Sequence, residues 1–151
     1  MIYHYTYNTE LGSVTFAEED GALLAISTHR SVEGVYQETT LIKKAYLQLT
    51  EYLNGERRTF DLPLNPQGTD FQKRVWKALC EIPYGETRSY KQIAEAIGNP
   101  KAVRAVGMAN NRNPLLIVVP CHRVIGSDGK LVGYAAGLDK KAFLLGMEND
   151  K

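Results

Sequence analysis

The chain has 151 residues, 44% hydrophobic and 23% charged with a net charge of +1, enough for one domain or two small ones to bury a core without staples. No apolar stretch approaches the roughly 20 residues that span a bilayer, Met1-Ile2-Tyr3-His4-Tyr5 lacks the regions of an export signal, and Cys80 and Cys121 sit in contexts too unlike to indicate a disulfide. A soluble, cytoplasmic protein is expected. Charge is segregated: residues 1–66 hold 5 Lys/Arg against 9 Asp/Glu (net −4) and residues 67–151 hold 13 against 8 (net +5), which hints at a polyanion partner for the second half.

Ile2 to Tyr7 alternates strictly, with Tyr3, Tyr5 and Tyr7 on one face, and Val14 and Phe16 continue the pattern before Asp20-Gly21, a two-residue turn into Ala22–Ile26. An antiparallel meander follows from this. Leu41, Ile42, Ala45, Tyr46, Leu49, Tyr52 and Leu53 then recur at helical spacing up to Gly55, predicting a helix that covers one face of the sheet. Phe60, Leu62 and Leu64 alternate again, and Pro63, Pro66 and Gly68 mark a linker. The domains are therefore expected at 1–66 and 67–151. His4 and His29 have no partner at ligand spacing and read as packed or solvated.

In the second half Thr69-Asp70-Phe71-Gln72 is a capping box for a helix that buries Phe71, Val75, Trp76, Leu79 and Ile82, with Cys80 beside that apolar face as a structural thiol. Ser89-Tyr90-Lys91-Gln92 is a second capping box, opening a short helix that Gly98 ends, and Asn99 can cap a third. Two short helices joined by a tight turn form a helix-turn-helix pattern. On the third helix Val103, Val106 and Asn110 share an inner face, while Lys101, Arg104, Ala105 and Met108 share an outer face, basic at its start and otherwise small. That face could enter a nucleic-acid groove with Arg104 as its probe; a solvated face carrying two charges fits the pattern equally well.

Asn113-Pro114 opens the apolar run Leu115–Val119, which reads as a buried strand ending at Pro120 and delivering Cys121. The adjacent His122 and Arg123 could lower the thiol pKa and favour the nucleophilic thiolate; a buried structural cysteine before a basic loop is the alternative. Val124-Ile125 and Lys130-Leu131-Val132 flank Gly126-Ser127-Asp128-Gly129 as a hairpin, so the helix-turn-helix gains a wing. Gly133-Tyr134-Ala135-Ala136-Gly137 is a small-residue loop that a planar ligand could approach. The last helix runs from about Leu138, burying Leu138, Ala142 and Leu145, and sets the Glu148 carboxylate near its apolar face, where it either frays or meets a buried partner.

Pro120-Cys121-His122-Arg123-Val124 resembles the P-C-H-R-[VI] signature of the methylated-DNA-protein-cysteine methyltransferases, the O6-alkylguanine-DNA alkyltransferases. Phe71–Trp76, Pro83-Tyr84-Gly85-Glu86, Ser89-Tyr90, Gly98–Gly107, Asn113-Pro114, Gly137-Leu138 and Glu148 fall in the family's order, so the likeness spans residues 68–148. It implies an α+β protein: an N-terminal antiparallel sheet with a covering helix (ribonuclease H-like) and a C-terminal, mainly helical, winged helix-turn-helix domain. It also implies single-turnover transfer of an alkyl group from O6 of a guanine in duplex DNA, with O4-alkylthymine as a second candidate, to Cys121 after base flipping. The expected partner is double-stranded DNA, met by a monomer with no membrane, no cofactor and no metal.

For individual residues the resemblance implies Cys121 as acceptor, His122 as base through a water, Glu148 as its orienter, and Tyr90 as proton donor. Asn113 would tie the recognition helix to the active-site strand. Arg104 would be the finger that replaces the flipped base, with Ala105, Lys101, Tyr90 and Arg123 at the DNA. Met108, Val124, Tyr134, Ala135 and Gly133 would line the base pocket. Ala135 replaces a serine of some relatives and Gly133 an asparagine, so a more open pocket mouth is expected. Two other classes compete: a winged-helix module that binds DNA without chemistry, from which the presence of Cys121 argues away, and a cysteine hydrolase, for which no oxyanion-hole motif is visible.

Overall fold

The computed structural model describes residues 1–149; Asp150 and Lys151, the end of the second expected domain, lie outside the described residues. The chain divides into two compact units, one of Met1–Gln67 and one from Gly68 onward.

In the first unit β1 (Ile2–Thr9), β2 (Gly12–Glu19) and β3 (Ala22–Ser27) form the expected meander, with Tyr5 opposite Phe16 and Phe16 opposite Ile26. Asp20 and Gly21 both have positive φ, 51° and 79°, as a turn matching the right-handed twist of its strands requires. One strand departs from expectation: β4 (Val35–Tyr36) lies parallel to β1, giving the order β3-β2-β1-β4, so the sheet is mixed rather than wholly antiparallel. Two residues are too short to show alternation in a sequence.

Helix α1 (Thr40–Leu53) begins where the Thr39 hydroxyl accepts from Ile42 N–H. It ends where Gly55, at φ 78°, and Glu56 donate to Tyr52 and Glu51, the paired bonds of a Schellman cap. Its Ile42, Ala45, Leu49 and Tyr52 are fully buried, as are Val14, Phe16, Leu23 and Ile26 of the sheet. Each such large apolar side chain contributes about 1.5–3 kcal/mol by leaving water. The alternation at 60–64 reflects an extended segment beside β3, where Leu23 N–H donates to Pro63 and Asn65 N–H to Leu23.

In the second unit α2 (Asp70–Leu79) and α3 (Tyr90–Ala96) both open with complete capping boxes, Thr69 with Gln72 and Ser89 with Gln92. Gly98, at φ 80°, closes α3 with another Schellman pair, Gly98 to Glu95 and Asn99 to Ala94. Residues 99–102 then form a turn, so α4 (Val103–Asn111) starts later than expected and without the Asn99 cap. Lys101 therefore precedes the helix. Val106 and Asn110 of α4 are buried as expected, with Ala109, while Val103 is exposed. Trp76 Nε1 donates to Ala109 O at 2.8 Å and locks α2 to α4, and a Cβ at Gly68 would meet the Trp76 ring at 2.6 Å.

Two expectations fail here. The run Leu115–Val119 is not a strand; it folds back on itself, with Val118 N–H donating to Leu116 O and Val119 N–H to Leu115 O. The 124–132 segment is also not a pair of strands: β6 (Val124–Ile125) pairs in parallel with β5 (Arg88–Ser89), while Gly126 N–H donates to Lys130 O across a tight loop. Helix α5 (Leu138–Asn149) follows, but with another face inward. Lys141, Leu144 and Glu148 are buried, whereas Leu138 and Ala142 are exposed and Leu145 is half-buried. No described helix is long and apolar enough to cross a membrane.

Candidate active site

Cys121 is held by two consecutive three-residue turns. Ile117 has φ 71°, rare for a β-branched residue, and carries the Leu116–Val118 turn, the strained form of γ-turn that costs about 1–3 kcal/mol. Pro120, at φ −81° and ψ 63°, carries the relaxed form, in which Cys121 N–H donates to Val119 O at 2.8 Å. Asn113 staples both: its amide donates to Val119 O at 2.7 Å and Leu115 O at 3.3 Å and accepts from Leu115 N–H at 2.9 Å. Asn113 therefore shapes the sulfur-bearing turn, while its own backbone N–H lies 3.3 Å from Asn110 O in the last turn of α4. A second helix contact comes from the Asn110 side chain, whose Nδ2 lies 3.4 Å from Cys121 O.

Cys121 opens a single 3-10 turn, Cys121–Arg123, and is only 3% exposed. Burial pushes its thiol up to about 11, against smaller downward pulls from the Asn113 amide, the Lys141 charge and a backbone hydrogen bond. The thiol is thus protonated at neutral pH, burial outweighing the lowering that the adjacent His122 and Arg123 could bring. Deprotonation has to be driven.

His122 can drive it. Its Nε2 is 2.7 Å from Glu148 Oε2, and both side chains are fully buried. With Glu148 ionised, Nε2 carries the proton and Nδ1 is the basic nitrogen. Burial lowers the His122 pKa; the hydrogen bond and charge of Glu148 raise it, and Arg123 and Lys141 lower it again, so the imidazole stays neutral near pH 7. Glu148 meets a buried partner and does not fray, the outcome its position left open.

Arg123, expected at the DNA surface, is instead inside: its Nε is 2.8 Å from Glu148 Oε1, its Nη2 is 3.0 Å from Oε2, and its Nη1 donates to Ile82 O at 2.8 Å. The Tyr84 ring covers its guanidinium at 5.6 Å. This fork-on-carboxylate pair fixes the Glu148 oxygens, and Gly85 N–H adds a fourth donor at 3.4 Å. A basic residue next to a nucleophile reads as a surface contact in one dimension; the turn sends its side chain inward.

The remaining expected residues fall into three groups. Tyr90 Oη donates to Val132 O at 2.7 Å, and burial first, then the charge of Cys121, raise its pKa. Gly133, at φ 62°, sits where a Cβ would meet the Asn111 amide at 3.1 Å and Tyr90 Oη at 3.3 Å. Val124 and Tyr134 are buried, and Ala135 is exposed. On the helix, Arg104 and Ala105 are exposed, with Lys101 before them. Met108 is 61% exposed and lines a shallow groove of about 220 Å³ with Phe71, Gln72, Ala105 and Arg112. Among the described residues no three His, Cys, Asp or Glu side chains gather as a metal site.

The sheet-plus-helix unit, the helix-turn-helix and the buried His122–Glu148 pair beside Cys121 define a two-unit protein whose second unit joins a helix-turn-helix to a buried thiol. The chain belongs to the 6-O-methylguanine DNA methyltransferase family: residues 2–66 match the family's ribonuclease-like domain and residues 70–150 its DNA-binding domain. It is 67% identical over 108 residues to the methylated-DNA--protein-cysteine methyltransferase of Methanosarcina barkeri, covering 72% of this chain and 68% of that one. The protein of that name from Methanosarcina acetivorans is 48% identical, with 97% and 98% covered. The crystal structure of Mycobacterium tuberculosis OGT in complex with DNA superposes with a TM-score of 0.92 at 46% identity, covering 97% of this chain and 92% of that one.

Proposed function

We propose that the chain repairs alkylated DNA by moving the alkyl group from O6 of a guanine in duplex DNA onto Cys121, once per molecule, acting as a monomer. The observation that carries this reading is the buried His122–Glu148 hydrogen bond, braced by Arg123, at the 3-10 turn that also bears the buried Cys121. The thiol gives its proton to His122 Nδ1 through a water, Sγ attacks the alkyl carbon, and the carbon–O6 bond breaks as the sulfur–carbon bond forms. The departing guanine takes up a proton, with Tyr90 as donor; its hydroxyl must first leave Val132 O. The displacement changes no oxidation state, so it calls for no redox partner, and a thioether offers water no leaving group.

The O6 atom is out of reach inside a duplex, so the nucleotide is flipped out at a cost of a few kcal/mol. The small exposed face of α4 suits close approach to a minor groove, with Arg104 filling the gap in the stack and Lys101 near phosphate. Tyr134, Val124, Ala135, Gly133 and Met108 are assigned to the base pocket, and the closeness of Asn111 and Tyr90 to Gly133 favours a small adduct such as methyl. Incubation with a duplex carrying O6-methylguanine should add one methyl group to the Cys121 peptide, read by mass spectrometry, and restore guanine. Binding without modification would leave a recognition module instead, and more product than protein would sink the single-use step.

A further inference from the structure

Lys141 is a fully buried lysine that no step above uses. Burying an ammonium is unfavourable unless fixed partners replace its water. Its Nζ donates to Val132 O at 2.8 Å and to Gly133 O at 3.3 Å, and the Tyr90 ring lies 5.9 Å away. Val132 O is also the acceptor of the Tyr90 hydroxyl, so one carbonyl gathers a donor from α3 and another from α5. The positive φ of Gly133 belongs to the same segment, and the next residue is the buried Tyr134.

Neutral donors could have bonded two carbonyls. What an ammonium adds is charge, and that charge is felt at the nucleophile: Lys141 acts on Cys121 and on His122, while Cys121 acts back on Lys141. The titratable groups facing it are Tyr90 from α3 and Cys121 and His122 from the 3-10 turn, with Arg123 acting on His122 from the same turn.

We propose that Lys141 is a positioning residue for alkyl transfer: its ammonium fastens the Val132–Gly133 segment to Tyr90 and supplies the positive charge that stabilises the Cys121 sulfur as its proton leaves. This rests on Cys121 being the acceptor. In the step itself the S–H bond breaks, the proton goes to His122, and the electron pair left on sulfur is met by a charge already in place. Burial pushes Lys141 down to about 8, so the aid is strongest below that pH and fades above it.

The test uses iodoacetamide in place of DNA, so that its failure and a failure of repair are distinguishable. Alkylation of the full-length protein is followed against pH by peptide-resolved mass spectrometry, with the exposed Cys80 as an internal control. In Lys141→Met the Cys121 midpoint should rise by about half to one pH unit, a roughly 3- to 10-fold loss of rate at fixed pH below it, with Cys80 unchanged. Lys141→Arg, which keeps the charge, should hold the midpoint. Loosening the segment alone would alter the plateau without moving the midpoint, so an unmoved midpoint in Lys141→Met overturns the proposal.

Discussion

Replacing Glu148 by Gln keeps the side chain's shape and removes its charge. The carboxylate collects four donors, two from Arg123 at 2.8 and 3.0 Å, one from His122 at 2.7 Å and one from Gly85 at 3.4 Å. A carboxamide has one acceptor oxygen and turns an NH2 toward the other donors, so a guanidinium only 9% exposed loses its counter-charge. Removing one partner of a buried pair costs about 3–5 kcal/mol, which a urea titration reads directly. For the chemistry, an NH2 facing Nε2 favours the proton on Nδ1, the tautomer that cannot accept from the thiol. A general base contributes roughly 10²- to 10⁴-fold. The single-turnover rate of Cys121 methylation from an O6-methylguanine duplex should therefore fall about 100-fold or more, with duplex affinity nearly unchanged because α4 is untouched. A folded Glu148→Gln protein that kept its rate within about 3-fold would refute the base assignment of His122.

Arg104→Ala should slow repair in duplex far more than reaction with free O6-benzylguanine, and equal losses would remove the finger. Gly133→Ala should lower stability by about 1 kcal/mol or more, through its positive φ and the 3.1 Å approach to Asn111, seen as a lower urea midpoint. Trp76→Phe removes the 2.8 Å donor from the Ala109 carbonyl, which keeps only the longer bond from Arg112 N–H at 3.2 Å, and should cost about 1 kcal/mol in the same assay. The pKa of His122 is depressed in the fold, so below its ordinary 6.5 the unfolded chain binds the proton that the folded chain refuses. Stability should accordingly fall as the pH drops from 6.5 toward 5, and less so in His122→Phe; a flat wild-type profile would contradict the burial argument.

Sequence alone carried the elements whose signals are local. Capping boxes at Thr69 and Ser89, the Asp20-Gly21 turn and the glycine stops at 55 and 98 are chemical instructions to a few neighbouring atoms, and the fold contains each of them. What could not be seen were outcomes of tertiary competition. Leu115–Val119 is apolar because it is buried, and burial does not distinguish a strand from a stapled double turn; the amide of Asn113 decides it. Helix α5 has weak amphipathy, so its inward face is set by Lys141 and Glu148 meeting polar partners together with the buried Leu144, while Leu138 stays exposed. Arg123 was visible as a cation beside a thiol, but the direction of its side chain depends on a 3-10 turn that no periodicity announces.

The burial of Cys121 has a consequence for storage. A protein that works once has to keep its thiol intact until the damaged base arrives, through exposure to every peroxide and stray electrophile in its surroundings. Such reagents consume thiolates, and a sulfur 3% exposed and protonated up to about pH 11 presents almost none. Cys80 at the end of α2 is also held protonated by partial burial, but it is the more exposed of the two sulfurs and the one that oxidants meet first. With Cys121 in the proposed role, the burial that keeps its thiol protonated also gives it a long shelf life, and its reactivity waits on a neighbour to take the proton.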